Sequence, residues 1–252
     1  MCHEPSSGPP ISSATGGGER GARLVLEASD GNRFAAFMAK TDVAHAPGVV
    51  ILPDVRGLHP FYEELALRFG EAGVHALAID YYGRTAGSGS RGEDFDYKPH
   101  FEQATDDNVS LDVTAAVAAL RSFEDGEAIA ISTVGFCFGG RISFNQAATQ
   151  HDLAGVVGFY GRLAEKEPGD SNAPVVQAPN YRCPVLGLFG GADATITAEH
   201  VEAFQRALDS VGVRNELVSY PGAPHSFFDR AHPEYAAVSQ DAWDRVLAFI
   251  HP

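Results

Sequence analysis

The segment 135–140, Gly-Phe-Cys-Phe-Gly-Gly, constrains the fold of this chain more than any other. An apolar run at 128–134 leads into it, and a helix-compatible stretch at 141–149 leads out. Small residues on both sides of Cys137 are typical of a sharp strand-to-helix turn, which holds a nucleophile at the edge of a sheet. The N-terminus of the following helix favours a thiolate there. Taken alone, the six residues also fit a glycine-rich turn around a buried structural cysteine.

Length and composition indicate one large globular domain. The 252 residues fit a single α/β domain, and a hydrophobic content of 44% is enough for a substantial core. Residues 1–20 are rich in Ser, Gly and Pro, so we expect a flexible tail there and one domain at 21–252. The net charge of −15 disfavours nucleic acid and anionic membrane surfaces as partners. No apolar run of the sequence is long enough to span a membrane.

Cysteine and histidine usage indicates the compartment and bears on metal binding. Cys2, Cys137 and Cys183 are odd in number and far apart, which argues against a disulfide framework and favours a reducing compartment. Residues 1–20 lack the basic and apolar regions of a signal peptide, so we expect a cytoplasmic protein. The ten histidines show no metal-ligand spacing, and we expect no metal site.

Apolar runs alternate with helical patterns along most of the chain. Asp30 and Gly31 separate two strand-like segments and predict a hairpin turn. The predicted strands are 23–29, 33–39, 48–52, 74–79, 128–134, 153–160, 184–189 and 214–220. The predicted helices are 60–72, 105–123, 141–149, 198–211 and 233–250, and the long connections are 81–100 and 161–182. This order predicts a mostly parallel sheet with helices on both faces, joined by an N-terminal antiparallel hairpin.

Two polar residues downstream of Cys137 complete a candidate catalytic triad. A cysteine nucleophile needs a base to accept its proton and a third group to orient that base. Asp193 comes just after the strand 184–189, where such sheets bind ligands, and His225 follows the strand 214–220 on a loop shaped by Pro and Gly. The order nucleophile, acid, histidine is that of α/β-hydrolases, so we predict a triad of Cys137, Asp193 and His225.

Two backbone N–H groups are expected to form an oxyanion hole beside this triad. One is that of Phe138, directly after the nucleophile. The other belongs to the loop 53–57, which follows the strand 48–52, and we assign it to Val55. An ordinary strand-to-helix loop is the alternative for Val55.

Five motifs together resemble the dienelactone hydrolase family of α/β-hydrolases, over about residues 24–250. They are Gly-Phe-Cys-Phe-Gly-Gly, Gly-Gly-Ala-Asp, Pro-His-Ser-Phe, Ile-Leu-Pro-Asp-Val-Arg-Gly and Ile-Asp-Tyr-Tyr-Gly-Arg. Cysteine at the strand-to-helix turn is the most specific part, because most relatives outside this group carry serine. The resemblance implies the α/β-hydrolase fold and hydrolysis of a small lactone or enol ester through a thioester intermediate, without a cofactor. It also favours a monomer, with a homodimer as the alternative.

The resemblance further implies roles for charged residues. The family has a glutamate after the first parallel strand that interacts with the resting thiol and helps to deprotonate it, and the matching residue is Asp54, one methylene shorter. A carboxylate that caps the local loop is the alternative for Asp54. The family's arginine for the substrate carboxylate matches Arg84. A second arginine follows His-Ser-Phe in the family, but here Asp229 lies near that place and Arg230 is displaced.

The substrate pocket is expected at the strand ends. Its expected lining residues, each of which also fits a structural role, are Tyr81, Tyr82, Phe136, Tyr160, Ser226 and Phe227. Two other functions fit the same sequence. The triad could cleave other small esters, thioesters or carbon–halogen bonds, since fold alone does not choose among these, or the scaffold could serve as a non-enzymatic binding protein.

Overall fold

The apolar runs pair into one sheet in the computed structural model of the chain, which describes residues 6–13, 21–92, 94–122 and 130–251. The strands of this sheet are β1 (Gly21–Glu27), β2 (Arg33–Ala39), β3 (Gly48–Leu52), β4 (His75–Ile79), β5 (Ile131–Phe136), β6 (Gly155–Phe159), β7 (Val185–Gly190) and β8 (Asn215–Tyr220). From β3 to β7 every strand is buried along its whole length, as expected of strands that are covered on both faces.

The strands follow the order β1-β2-β4-β3-β5-β6-β7-β8 across the sheet. The pairs β1–β2 and β2–β4 are antiparallel, and all pairs from β4–β3 to β7–β8 are parallel. The predicted mostly parallel sheet with an N-terminal antiparallel hairpin is therefore confirmed. Since parallel strands end at one edge, the loops after β3, β5, β7 and β8 lie at the same edge of the sheet.

Helices cover both faces of the sheet, as predicted. They are α1 (Pro60–Glu71), α2 (Gly83–Ala86), α3 (Lys98–Phe101), α4 (Asp106–Ser122), α5 (Phe138–Gln146), α6 (Pro174–Gln177), α7 (Ala198–Ser210) and α8 (Ala236–Ile250). On one face, α1 and α8 meet through Phe69 and Trp243, whose ring centroids lie 4.6 Å apart. On the other face, α4 packs through Val109, Val113 and Val117 against residues of β3 and β4.

Some boundaries differ from the sequence prediction. The connection 81–100 contains α2 and α3, and the connection 161–182 contains α6 and a 3-10 turn at Ala178–Asn180. Helix α5 begins at Phe138, directly after Cys137, because the two glycines that follow pack against backbone where no side chain would fit. The segment 123–129, which includes the predicted start of the strand before the turn, lies outside the described residues.

Residues 6–13 are not the flexible tail that the composition predicts. Gly8 and Pro9 are buried, the side chain of Ile11 packs against the core, and the Arg230 N–H donates to the Gly8 carbonyl at 2.9 Å. The Ser, Gly and Pro content favoured flexibility, but contacts with the loop after β8 hold this segment. The rest of the predicted tail, 1–5 and 14–20, lies outside the described residues.

Two kinds of feature are absent from the described residues. None of their helices combines the length and the apolar character that crossing a membrane requires. Nor do three or more His, Cys, Asp or Glu side chains of the described ranges form a group that could hold a metal ion.

Candidate active site

Cys137 lies on a strained turn between β5 and α5. Its backbone has φ 54° and ψ −109°, a conformation that costs an ordinary residue on the order of 1–3 kcal/mol. The Cys137 N–H donates to the Phe159 carbonyl at 3.0 Å. A Cβ on Gly135 would overlap the backbone of Gly139, and a Cβ on Gly139 would overlap the carbonyl oxygen of Leu52. The glycines are thus required sterically, and they leave the cysteine partly exposed at the first turn of α5.

Asp193 and His225 form a hydrogen-bonded pair beyond the ends of β7 and β8. The His225 Nδ1 lies 2.6 Å from the Asp193 Oδ2, while the N–H and hydroxyl of Thr195 donate to Oδ1 at 2.8 and 2.7 Å. Burial alone would raise the pKa of Asp193, but the hydrogen bonds from His225 and Thr195 outweigh it and lower the pKa to about 2. An ionised carboxylate only accepts, so Nδ1 carries the proton and Nε2 is left to accept one.

The aromatic residues near this pair are buried. Tyr160, with φ 38°, has its ring centroid 4.9 Å from that of His225 and is 0% exposed. Phe136 stacks on Phe159 with centroids 4.6 Å apart, and Phe136 and Phe227 are both 1% exposed or less. The predicted pocket role of Phe136, Tyr160 and Phe227 is therefore not supported, because their rings keep almost no water-accessible surface for a ligand. All three belong to the aromatic core beneath the site.

The predicted oxyanion groups lie on two segments that a hydrogen bond joins. We call residues 53–57 the oxyanion loop. The Gly139 N–H donates to the Pro53 carbonyl at 3.1 Å, which brings this loop to the first turn of α5. Within the described part of the chain, neither the Val55 N–H nor the Phe138 N–H has a hydrogen-bond acceptor. Both groups are therefore available for an oxyanion.

Tyr81 and Tyr82 hold the oxyanion loop instead of lining an open pocket. The Tyr81 hydroxyl donates to the Pro53 carbonyl at 2.8 Å, and the Tyr82 hydroxyl donates to the Val55 carbonyl. Both side chains are 3% exposed or less. Burial raises the pKa of both phenols, so both remain protonated donors. The sequence predicted substrate contacts here, but the two hydroxyls are used to fix peptide planes of the loop.

A buried ion pair that the sequence did not indicate supports the same loop. The Arg91 Nη2 lies 2.9 Å from the Asp80 Oδ2, and both residues are 4% exposed or less. Asp80 also accepts the N–H of Leu58 at 3.1 Å and that of Tyr82 at 2.9 Å. The pair thus fastens the connection 81–100 to the end of the oxyanion loop. The sequence feature that could have predicted this ion pair is an aspartate at the end of β4 followed by an arginine in the next connection.

Asp54 is fully buried within the oxyanion loop. Its Oδ1 accepts the Arg56 N–H at 2.8 Å, and its Oδ2 lies 3.7 Å from the His59 Nε2. Burial first, and then charges that include those of Asp54 and Cys137, raise the pKa of Tyr81. Asp54 therefore caps its own loop and also lies, with the nucleophile, within electrostatic range of one tyrosine. His59 is a neighbour of this carboxylate that the sequence did not single out.

Arg84 is paired with carboxylates of the protein. Its Nε and Nη2 donate to Asp30 at 3.0 and 2.9 Å, and its Nη1 donates to the buried Asp112 at 2.7 Å. Two carboxylates already exceed the charge of one guanidinium, so a third, from a substrate, would be disfavoured. The structure argues against the prediction that Arg84 binds a substrate carboxylate.

Two residues that follow the histidine differ in their surroundings. Ser226 has φ 61° and is 3% exposed, and its Oγ has no hydrogen-bond partner among the described residues. Asp229 is 2% exposed, and its Oδ2 accepts a 2.7 Å hydrogen bond from Ser7. The carboxylate near the family's second arginine position is therefore turned towards the N-terminal segment, and the unsatisfied hydroxyl beside the base is that of Ser226.

Comparisons with known proteins agree on one family. The model of the "Dienelactone hydrolase family" matches residues 34–252. A Yersinia pestis protein named "Putative carboxymethylenebutenolidase" is 33% identical over 226 residues, which cover 87% of this chain and 84% of that one. A Bradyrhizobium protein named "Probable 2-oxo-3-(5-oxofuran-2-ylidene)propanoate lactonase" is 26% identical over 88% of this chain and 90% of its own. The solved structure of a "Putative Dienelactone Hydrolase" from Klebsiella pneumoniae has a TM-score of 0.77 at 28% identity, covering 91% of this chain and 99% of its own.

Proposed function

The chain belongs to the dienelactone hydrolase family, and from that premise we propose that it opens a small lactone or enol ester through Cys137, His225 and Asp193. Membership makes it a hydrolase of ester or lactone bonds. The observation that carries the triad is the 2.6 Å hydrogen bond between Asp193 and His225, at the sheet edge where β5 ends in the strained Cys137. A surface histidine or a structural cysteine needs neither feature.

His225 is the base for Cys137 in this proposal. Because Nδ1 carries its proton towards Asp193, Nε2 accepts the thiol proton and a thiolate–imidazolium pair results. Both the imidazolium and the first turn of α5 stabilise the thiolate. Asp54 takes the part of the family's glutamate: it interacts with the resting thiol and helps to deprotonate it when substrate binds.

The thiolate attacks the carbonyl carbon of the lactone, and the carbonyl electrons move onto its oxygen. The N–H groups of Val55 and Phe138 stabilise this oxyanion. When it collapses, the ring C–O bond breaks, which leaves a thioester on Cys137 and an enolate. Resonance spreads the enolate charge, so this group leaves with little help from an acid. The imidazolium of His225 gives the proton that it took from Cys137 to this enolate. His225 is then neutral and removes a proton from water, and the resulting hydroxide attacks the thioester carbon. Collapse of this intermediate releases the carboxylic acid and restores the Cys137 thiolate beside the imidazolium.

The substrate class follows from the relatives. Both curated relatives described above are named for unsaturated lactones that carry a carboxyl group. Near His225, the side chains of Tyr160 and Ser226 are 0% and 3% exposed, so they border the base from within the protein and do not enter this assignment.

Neutral small esters are the second candidate substrates. They are favoured because the arginines that could bind a substrate carboxylate already bind carboxylates of the protein. Arg84 already carries Asp30 and Asp112, and the Arg230 Nη1 donates to both oxygens of Glu64 at 3.1 and 3.0 Å. Both arginines are therefore already paired with carboxylates of the protein. Thioesters and carbon–halogen bonds fit the same nucleophile and complete the set of substrates to assay.

Steady-state hydrolysis of cis- and trans-dienelactone and of p-nitrophenyl acetate tests this proposal. Cys137→Ala is expected to lower kcat at least about 10³-fold on every ester that the wild type cleaves. Cys183→Ala is the matched control, because burial raises the pKa of that thiol to about 12 and it is a core residue, and it should keep kcat within about twofold. Activity on the neutral ester alone would select the second candidate. Wild-type turnover by Cys137→Ala would overturn the mechanism.

A further inference from the structure

The loop that carries His225 is fastened at its far end by the N-terminal segment, residues 6–13. Asp229 lies in this loop and is 2% exposed. Its Oδ2 accepts a hydrogen bond from the Ser7 Oγ at 2.7 Å, and its Oδ1 accepts one from the Gly8 N–H at 3.4 Å. In the other direction, the Arg230 N–H donates to the Gly8 carbonyl at 2.9 Å. Hydrogen bonds therefore run both ways between the segment and the loop.

The segment 6–13 is also fixed to the body of the protein. Ile11 packs against the main core cluster, and the Ser13 hydroxyl donates to Glu71 of α1 at 2.7 Å. Gly8 is buried so closely against the loop that a Cβ at this position would overlap the guanidinium of Arg230. The segment thus acts as a strap that joins α1 to the loop after β8.

The strap reaches His225 through a short series of backbone contacts. The Asp229 N–H donates to the Phe227 carbonyl at 2.9 Å, and the Ser239 hydroxyl of α8 donates to the same oxygen at 3.1 Å. Between Phe227 and the histidine lies Ser226, whose φ of 61° must be maintained by its surroundings. A shift of Asp229 would therefore change the backbone next to His225.

We propose that the segment 6–13, acting through Asp229, is a positioning element for His225. The carboxylate near the place where the family has a substrate-binding arginine serves here to receive Ser7 and Gly8 of the same chain. The role of His225 as the base is part of the proposed function, so this inference rests on it. Asp229 itself contacts no reacting group and is a positioning residue.

Variants of the full-length chain, in a Cys2→Ala background, test the strap from both sides. Asp229→Ala removes the acceptor, together with the bond that Asp229 receives from the Ala231 N–H of its own loop at 2.9 Å. Ser7→Ala removes the Ser7 donor without touching the loop. Asp229→Asn keeps an acceptor oxygen of the same shape and is the conservative rescue. Ser12→Ala is the control, because it lies in the same segment and its side chain is exposed. Thermal unfolding of each variant is recorded, and activity is measured well below the midpoint.

Two readouts separate positioning from simple stability. The first is kcat and KM for p-nitrophenyl acetate: Asp229→Ala and Ser7→Ala should lose about tenfold in kcat with KM within about twofold, since a displaced base mainly affects the transition state. The second is the pH profile of iodoacetamide alkylation at Cys137, which should change when His225 is displaced. Asp229→Asn and Ser12→Ala should resemble the wild type in both.

The alkylation profile keeps this proposal separate from the proposed function. A shifted alkylation profile in the strap variants supports positioning even when the wild type cleaves none of the tested esters. The lack of ester cleavage would count only against the proposed substrate class. Unchanged kcat and an unchanged alkylation profile in both strap variants would overturn the proposal. The same holds if Ser12→Ala produces an equal change, because the effect would then not depend on Asp229.

Discussion

The hydroxyl of Tyr82 donates a hydrogen bond to the carbonyl oxygen of Val55, so a side chain from the end of β4 fixes a peptide plane of the oxyanion loop. The backbone of Tyr82 is held in turn by Asp80, which pairs with Arg91. The phenol is buried and, because its pKa is raised, stays protonated. Residues that touch no substrate in our proposal thus hold the Val55–Arg56 peptide plane, which is next to the plane that carries the Val55 N–H.

Removal of the Tyr82 hydroxyl should therefore affect turnover more than binding. Tyr82→Phe keeps the packing of the ring, and we expect kcat for p-nitrophenyl acetate to fall about tenfold with KM within about twofold. Tyr97→Phe is the control, since the Tyr97 hydroxyl makes no hydrogen bond within the described residues and its ring is also partly buried. Equal kcat values for the two variants would show that the loop does not depend on this bond.

Asp193→Asn should be the most damaging conservative change outside the nucleophile. An amide can donate as well as accept, so it no longer forces the proton of His225 onto Nδ1, and the base is presented in the wrong tautomer. We expect kcat/KM to fall about 10³–10⁴-fold with the fold intact. Thr195→Val, which removes one of the hydrogen bonds to the same carboxylate, should lose less than about tenfold. A drop of equal size in both variants would mean that the loop had collapsed.

The same carboxylate makes a prediction about stability in acid. The pKa of Asp193 is lowered from its ordinary value of 3.8 to about 2 by hydrogen bonds that outweigh its burial. A carboxyl group whose pKa is lowered by folding stabilises the folded state above the ordinary value, and this contribution is lost as the pH falls through the folded value. The stability advantage of the wild type over Asp193→Asn should therefore shrink as the pH falls from about 4 to about 2. Urea unfolding at several pH values measures it, and a constant difference down to pH 2 would contradict it.

Strand ends and turn chemistry were enough to predict where the three triad candidates lie, because parallel strands deliver their carboxyl ends to one edge of the sheet. Each candidate follows such a strand end: Cys137 follows β5, Asp193 follows β7 and His225 follows β8. A thiol, a carboxylate and an imidazole at these places favour a nucleophile, an orienting acid and a base. The sequence could not show that the hydroxyls of Tyr81 and Tyr82 donate hydrogen bonds to backbone carbonyl groups. An aromatic residue after a strand carries no signal about the atom to which its hydroxyl bonds.

The contacts that the sequence did not predict depend on partners far along the chain. Ser7 and Asp229 are 222 positions apart, and a segment rich in Ser, Gly and Pro gives no indication that it will meet a buried carboxylate. Arg84 and Arg91 lie in the same connection, and the family resemblance favoured the first. Only the folded chain shows that Arg84 meets Asp30 and Asp112 while Arg91 lies against Asp80.

Replacement of Arg84 should change stability and not substrate preference. Arg84→Gln leaves the buried Asp112 without its cation, and we expect the free energy of unfolding to fall by about 1–3 kcal/mol. The ratio of kcat/KM for dienelactone to that for p-nitrophenyl acetate should stay within about twofold of the wild type, because the side chain is already occupied. A selective loss on the carboxylate-bearing lactone would restore Arg84 to the substrate site.

The close approach of the oxyanion loop to α5 depends on a glycine. A Cβ on Gly139 would overlap the carbonyl oxygens of Leu52 and Pro53, which are backbone atoms and have no rotamer by which to move away. Gly139→Ala should therefore push the loop from the nucleophile, lower the free energy of unfolding by more than about 2 kcal/mol and abolish turnover. Gly89→Ala is the matched control, because no atom lies within 4 Å of a Cβ at that position. Denaturant unfolding and p-nitrophenyl acetate hydrolysis of both variants test this. Wild-type values for Gly139→Ala would mean that β3 and α5 can separate without loss of the site.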